Sequence, residues 1–427
     1  MLAKLIAATI LTGIISGFFI VFYENLILFF THIIFLGHSL ETLKDLPTVY
    51  LYLAPTISIL IVNYMVSYDK NIREYGINEI AESIIANNMV LKLKTLFLKV
   101  IASSLSLASG FLVGTEGPSA GIGAMIAYQM HKLFKLPQMM VKTIISIGAS
   151  SGIAAVFVSP LTGISFAIEN IAHQFVRQYV SYIILSSVIA FSISVNFFDS
   201  ISFHYSIGRN IDYDYIIANT LFIPFITLFV FFYLFMKKNV LHFIDLEIFK
   251  KFHQYRNLIF ALIGGSIVGT ILTLEPHAAF SGKEIVIKLI NQDIHVPLVF
   301  ILSIILLRII GTTISIYANA VGGIFLPLMS IGALVGYAYG EILFMYHFQI
   351  EPYYFAAIGT AVFMGVVMKL PLTAVVLAFE TTFDYNVVIS AGVDVALVAY
   401  LTSLYFDIKQ RYVTKADSIV TSTTDKS

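Results

Sequence analysis

The stretch GFLVGTEGPSAGIG, residues 110–123, places one carboxylate, Glu116, among glycines and beside a proline. Apolar runs flank this stretch on both sides, which indicates that it lies at membrane depth. Glycine lets a backbone bend sharply, and proline fits the first turn of a helix. Residues 116–118 (EGP) therefore predict a helix start inside the membrane, and residues 323–327 (GIFLP) predict a second one.

The composition is that of a membrane protein. Of the 427 residues 58% are hydrophobic and 12% are charged, whereas a soluble domain carries about 25% charged residues. Four apolar runs are long enough, at about 20 residues, to cross a hydrocarbon core: 3–22, 217–236, 258–274 and 298–317. These runs do not alternate polar and apolar residues, so we predict an all-α polytopic membrane protein.

Several classes of partner are disfavoured. The net charge is zero and no basic stripe is present, so no nucleic-acid partner is expected. Cysteine is absent, which excludes disulfides and thiolate metal sites. We expect no metal and no cofactor. The first 30 residues are too long an apolar segment for a signal peptide, and we interpret them as a retained span.

Charge asymmetry predicts the orientation. The connection at 237–256 is the most basic one, so the positive-inside rule places it in the cytoplasm. The basic tail shares that side. We expect a transport domain over 1–407, a short cytoplasmic tail at 408–427 and no appended regulatory domain, in a bacterial inner membrane.

The chain repeats itself. Residues 147–169 align without gaps with 358–380, sharing Ile-Gly, Pro-Leu-Thr and a final Glu. Residues 114–130 align with 323–339, sharing Gly, Pro, Ile-Gly-Ala and Tyr. We interpret this as a duplication with halves at roughly 80–210 and 290–407, and expect inverted repeats. Such halves are typical of transporters whose site lies at the repeat interface.

The elements around the repeats are short and interrupted by Gly and Pro. We predict helices at 117–132, 140–158, 160–172, 325–342, 352–369 and 371–383. A half-helix that begins inside the membrane exposes unpaired N–H groups and the positive end of its dipole. Two such starts facing each other would bind an anion. A carboxylate there can occupy the anion's place and leave when protonated, so Glu116 is predicted to be a gate, a proton carrier, or both.

The motifs carry a family resemblance. GTEGP (114–118) and GGIFLP (322–327) resemble the GREGP and GGIFAP motifs of the CLC family of chloride channels and chloride/proton exchangers. YGINEIAESI (75–84) resembles the family's GSGIPEIE. The resemblance implies the CLC two-repeat architecture with tilted and broken helices, a homodimer with one pore per subunit, and chloride and protons as the transported ions.

The resemblance also implies site residues. Glu116 matches the external gating glutamate, and Ile324 and Phe325 match the pair whose backbone N–H groups bind the anion. Tyr412 is the better match, and Tyr405 the rival, for the tyrosine whose hydroxyl contacts the anion. The expected anion site comprises Gly323, Ile324, Phe325, Tyr412 and Tyr75, supported by Gly114, Gly117, Pro118, Pro327 and the buried Lys99.

Three positions depart from the family pattern. Thr115 replaces a basic residue near the outer entrance. Tyr75 stands where an anion-binding serine is usual, with Glu74 in place of a glycine and Asn78 in place of a proline, which puts the ion preference in question. Asn170 replaces the inner proton-transfer glutamate of many exchangers, which leaves Glu169 and His173 as candidates for an inner proton route.

Two transport hypotheses therefore remain open: a chloride/proton exchanger, and a passive, voltage-gated type of chloride channel. A membrane hydrolase is a third hypothesis, because GASSG (148–152) fits the Gly-x-Ser-x-Gly pattern. Small residues that let helices pack closely explain that segment better, so we do not expect an enzyme. Glu169 and Glu380 are repeat partners near helix C-termini, where a carboxylate is electrostatically unfavourable.

Overall fold

The computed structural model describes residues 1–74, 93–170, 176–198, 213–244, 255–290, 297–348 and 350–424. This part of the chain is folded into α-helices, as predicted. The sixteen α-helices that it contains are α1 (Leu2–Ile34), α2 (Thr48–Tyr68), α3 (Asn71–Glu74), α4 (Leu93–Ala108), α5 (Glu116–Leu133), α6 (Val141–Phe157), α7 (Pro160–Asn170), α8 (Val176–Ser194), α9 (Tyr213–Ile244), α10 (Arg256–Leu274), α11 (Lys283–Ile290), α12 (Leu298–Tyr317), α13 (Phe325–Met345), α14 (Pro352–Met368), α15 (Pro371–Thr382) and α16 (Tyr385–Thr424).

Helix lengths divide the fold into complete spans and broken ones. Eight helices in the described ranges are long and apolar enough to cross a membrane, which confirms an integral, multi-pass protein. The predicted short helices are confirmed with ends within three residues, among them α7 with 11 residues and α15 with 12. At about 1.5 Å per residue these two cannot cross a core about 30 Å thick.

The basic connection fixes which parts of the fold share a side. The helix α10 has 19 residues, about 28 Å of helix, and leads from that connection to the opposite face. The segment 275–282 and helix α11 therefore lie outside if the basic connection is cytoplasmic. Tyr317 at the end of α12 donates to the carbonyl of Lys237 at 3.2 Å, so this end of α12 lies on the same side as the basic connection.

The repeat is visible in how the helices cross. In the first half α5 and α6 cross where Gly123 faces Gly148, and a Cβ on either glycine would overlap the other's carbonyl. In the second half α13 and α14 cross in the same way at the aligned residues Gly332 and Gly359. The aligned glycines thus mark equivalent close helix crossings in the two repeats, as close packing by small residues predicts.

Two glutamates join the halves reciprocally. Near the end of α7, Glu169 accepts hydrogen bonds from the backbone N–H groups of Leu372 and Thr373, both at 2.8 Å, at the start of α15. Near the end of α15, Glu380 accepts from Leu161 at 2.8 Å and Thr162 at 2.6 Å at the start of α7. Aligned helices that cap each other's N-termini must run antiparallel, so the repeats are inverted.

This arrangement accounts for carboxylates at unfavourable helix ends. Each carboxylate lies near the C-terminus of its own helix but bonds to the positive N-terminus of its partner, where a carboxylate is stabilising. A hydroxyl adds to each cap, from Thr373 to Glu169 at 2.7 Å and from Thr162 to Glu380 at 2.7 Å.

The last helix extends further than expected. The backbone of α16 continues through residue 407 to Thr424, so most of the segment expected as a tail continues the final helix. The division into a transport domain and a tail stays a prediction.

The glycine crossings generate a prediction about stability. Gly148→Ala and Gly359→Ala should each lower the free energy of unfolding by about 1–3 kcal/mol, because the new methyl group meets backbone atoms, which cannot rotate away. Thermal unfolding of the detergent-solubilised protein by circular dichroism measures this. Gly392→Ala is the control, since its Cβ would lie 3.7 Å from Val375, an ordinary contact. Equal melting temperatures for all three variants would contradict the close crossing.

The reciprocal caps generate a second prediction. Glu169→Ala and Glu380→Ala should each destabilise the protein by about 1–2 kcal/mol, because two backbone N–H groups lose their acceptor. Glu41→Ala is the matched control, because that side chain is 73% exposed. If either cap variant melts at the temperature of the control, the caps do not hold the halves together.

Candidate functional site

The starts of α5 and α13 meet inside the protein. Just before the two helices, Gly114 and Gly323 exchange backbone hydrogen bonds, N–H to carbonyl, at 2.7 and 2.8 Å. They form an isolated antiparallel bridge. A Cβ on Gly117 would lie 3.2 Å from the backbone of Gly323, so glycine is what permits the approach. The prediction that the two helix starts face each other is confirmed.

Glu116 lies between the two starts. It is the first residue of α5, its side chain is 3% exposed, and its Oε1 atom accepts a hydrogen bond from the N–H of Phe325 at 2.6 Å. Phe325 is the first residue of α13. The carboxylate therefore sits where the dipole of the opposite helix favours a negative charge.

The other residues of the two motifs surround this carboxylate. Ile324 is the N-cap of α13 and Thr115 the N-cap of α5. Cβ atoms on Gly114 and Gly323 would overlap the carboxylate, so these glycines leave the space that it occupies. Pro118 and Pro327 each take the third helical position, where their missing N–H has no intrahelical acceptor to lose.

A ring covers one side of this place. Phe157, the last residue of α6, packs on Phe325 with ring centroids 4.8 Å apart, and both side chains are buried. Sequence analysis did not single out Phe157. Its position just before the Ser-Pro break at the end of α6 is the signal that points to it.

Lys99 is buried in α4, as expected, with 3% exposure. Its ammonium donates to the carbonyl of Ile72 at 3.2 Å. This bond joins α4 to the segment that leads toward Tyr75. A role for Lys99 in raising the potential at the anion stays a prediction.

Of the three tyrosines considered for the anion site, only Tyr405 has a side chain among the described residues. Tyr75 lies outside the described residues. Tyr412 falls in the backbone of α16, and its side chain lies outside the description. The rival Tyr405 is 48% exposed, and its ring packs on Phe231 of α9 with centroids 4.9 Å apart. The identity of the inner tyrosine stays a prediction.

Of the residues considered for the inner proton route, only Glu169 has a described side chain. His173 and the side chain of Asn170 lie outside the described part of the chain. Both oxygens of Glu169 accept hydrogen bonds in the cap of α15. This geometry gives Glu169 a structural role, and its part in a proton route stays a prediction.

The hydrolase pattern lies in the wrong context. Ser150 is inside α6, fully buried, with its hydroxyl 2.8 Å from that of Ser187 and 3.1 Å from the carbonyl of Ile147. A nucleophile elbow needs a strand-to-helix turn. Among the described residues, no cluster of three or more His, Asp or Glu side chains could hold a metal ion.

A cavity of about 440 Å³ opens beside the site on the face away from the basic connection. Thr115 and Leu326, the neighbours of Glu116 and Phe325, line it, together with Glu24 of α1 and Lys283 of α11. Sequence analysis did not single out Glu24 or Lys283. Glu24 could have been identified from the sequence, because it is an ionisable residue inside a membrane span.

A buried arginine orders the wall of this cavity. Arg308 in α12 is fully buried and donates to the carbonyls of Ala278, Ala279 and Ser281 at 2.9–3.2 Å. Next to this loop Glu275 lies 2.7 Å from His277 and 3.5 Å from Lys44. Burial alone would raise the pKa of Glu275, but these two partners outweigh burial and lower that pKa.

Comparison with known proteins identifies the family. The family model for the voltage gated chloride channel matches residues 56–404. The H(+)/Cl(-) exchange transporters ClcA of Salmonella paratyphi B and Salmonella newport are each 29% identical over 305 residues, which cover 69% of this chain. The match spans 63% of the length of these curated relatives.

Solved structures share the fold. A slow cyanobacterial Cl-/H+ antiporter aligns with a TM-score of 0.80 at 20% identity, covering 97% of this chain and 99% of that one. A CLC-type fluoride/proton antiporter aligns at 0.73 and 17% identity, covering 95% and 96%. A eukaryotic CLC transporter aligns at 0.74 and 18% identity, covering 95% and 72%. The chain belongs to the voltage gated chloride channel family, the CLC family.

Proposed function

We propose that the protein exchanges chloride for protons across the membrane, with Glu116 as the gate and the proton carrier. The observation that carries this proposal is the hydrogen bond from the N–H of Phe325 to the Glu116 carboxylate, 2.6 Å long. A helix start inside the membrane is a place for an anion. In this structure the anionic group in that place belongs to the protein itself.

Coupling follows from competition for one place. An ionised Glu116 fills the position at the start of α13, so a chloride ion cannot bind there. Protonation removes the charge that the helix dipole attracts. The neutral side chain can then move away, and a chloride ion can bind in its place. Each exchange of carboxylate for chloride therefore takes up a proton, and the return of the carboxylate releases one. Proton and anion then move in opposite directions.

The hydrogen bonding of Glu116 supports ready release. In the described part of the chain its second oxygen, Oε2, has no hydrogen-bond partner. The bound carboxylate thus faces backbone dipoles rather than a paired cation, which would hold it strongly. The same dipoles can bind chloride weakly enough for turnover, as conduction requires.

A passive, gated chloride channel is the alternative, and the inner side of the protein favours it. Asn170 cannot carry a proton, and the oxygens of Glu169 are engaged in the cap of α15. An exchanger must then take its inner proton from another group or from water, with His173 a candidate. The relatives favour exchange, since they include H(+)/Cl(-) exchange transporters and a Cl-/H+ antiporter.

We extend the proposal to the remaining expectations. Chloride is the proposed anion, and fluoride is the competitor, since one neighbour in fold is a fluoride/proton antiporter. Tyr75, Tyr412 and Lys99 are proposed to act on the anion, and Gly323 to shape its place. The protein is proposed to work in a bacterial inner membrane as a homodimer with one pore per subunit, a transport domain over 1–407 and a cytoplasmic tail.

Flux into proteoliposomes tests the exchange. With the membrane potential clamped by potassium and valinomycin, chloride leaving the vesicles should drive protons inward against a pH gradient, because each chloride that leaves requires protons to enter. A pH electrode and a chloride electrode record the two fluxes together. Chloride efflux without proton uptake would establish the channel instead. Repeating the measurement with fluoride shows which anion the protein prefers.

Substitution of the gate tests the mechanism. Glu116→Gln should abolish proton coupling while chloride flux persists, because glutamine cannot ionise and no charge competes for the anion's place. Glu41→Gln, an exposed carboxylate on the outer face, is the control and should exchange both ions normally. A folded Glu116→Gln protein with no chloride flux would contradict the gate role.

A further inference from the structure

The cavity beside the site, which we call the outer vestibule, contains two opposite charges. Five titratable residues line it: Glu24, His38, His277, Lys283 and Glu284. Three of these have close partners elsewhere. The ring of His38 lies 3.0 Å from the carbonyl of Phe35, the ring of His277 lies 2.7 Å from Glu275, and Glu284 pairs with Lys288 at 3.2 Å.

The other two, Glu24 and Lys283, act on each other across the vestibule. Their charges interact electrostatically, yet within the described ranges no carboxylate oxygen lies within 4.0 Å of the Lys283 ammonium. The nearest aromatic contact of this ammonium that the structure describes is the ring of Phe198, whose centroid is 6.0 Å away, at the limit of a cation–π interaction. Lys283 is half-buried beside the vestibule. Among the residues that the structure describes, it has no tightly bound counter-charge.

Glu24 links the vestibule to the gate. Its carboxylate approaches the hydroxyl of Thr115, the N-cap of α5, and its charge acts on Glu116. Thr115 itself is uncharged and 6% exposed. Lys283 of α11 thus brings a positive charge to the vestibule, which the motif that begins α5 does not supply.

We propose that Lys283 forms an outer binding station for a small monovalent anion in the vestibule and that Glu24 weakens this station. The inference rests on the proposed function and adds to it the residues that handle the anion before it reaches Glu116. A lone ammonium in a partly dehydrated cavity attracts anions strongly. A carboxylate on the opposite wall reduces the attraction, which lets the anion move on to the helix starts.

The absence of cysteine makes a charge-replacement experiment direct. The chain has no native cysteine, so Lys283→Cys introduces a single reactive thiol. In proteoliposomes this variant should raise the outer KM for chloride roughly fivefold, as expected from the loss of one partly screened charge. An impermeant cationic methanethiosulfonate added outside should restore the KM, and an anionic one should not. Restoration would also show that the variant is folded.

Two further variants test the role of Glu24 and the specificity of the effect for Lys283. Glu24→Gln should lower the outer KM, because the opposing charge is gone. Lys288→Cys is the matched control, because it lies on the same helix but pairs with Glu41 and Glu284 beside a neighbouring cavity. Neither reagent should change its outer KM.

The outcomes separate this inference from the proposed function. Suppose that wild type moves chloride but that the outer KM of Lys283→Cys equals the wild-type value and neither reagent changes it. The binding station is then overturned, and the exchange proposal is untouched. If the reagents change the outer KM of Lys288→Cys as much as that of Lys283→Cys, a general effect of surface charge explains the result, and the binding station is overturned. If wild type moves no anion, the proposed function fails and the station fails with it.

Discussion

The structure depends on the bond between a carboxylate and a helix start that lies inside the membrane. The N–H groups at the start of α13 have no acceptor within their own helix, and water is scarce at that depth. Glu116, held at the start of the opposing helix, supplies the acceptor at 2.6 Å. The same need can be met by a chloride ion. In the proposed exchange, a structural requirement of broken helices and a transport step therefore use the same group of atoms.

The duplication brings this group together. The bridge between Gly114 and Gly323 joins aligned residues of the two halves, so the two facing helix starts lie at the pseudo-two-fold relation between the halves. The reciprocal caps of Glu169 and Glu380 hold the halves antiparallel at another place along the same interface. Glycine crossings inside each half let the paired helices pack closely. Inverted repeats thus aim two half-helices at one point.

Charges outside the centre complement this design. The family pattern places a basic residue beside the gating glutamate, and this chain has Thr115 there. The vestibule next to it has Lys283 on α11 and Glu24 on α1, from parts of the sequence far from the motif. Arg308 fixes the loop that leads into α11 through three backbone carbonyls. The surroundings of the Glu116 carboxylate thus combine residues from segments that are far apart in the sequence.

The sequence by itself determined the class of fold, the short helices, the duplication and the motif residues at the centre, from Gly114 to Pro118 and from Gly323 to Pro327. These features are local: apolar runs, Gly and Pro punctuation, and aligned segments can be read along the chain. Only the tertiary structure decided that Glu169 and Glu380 cap each other's helices and that Glu24 faces Lys283. The partners in these pairs are more than 200 residues apart, and which side chains meet at such separations depends on how the helices pack, a property that local pattern does not contain.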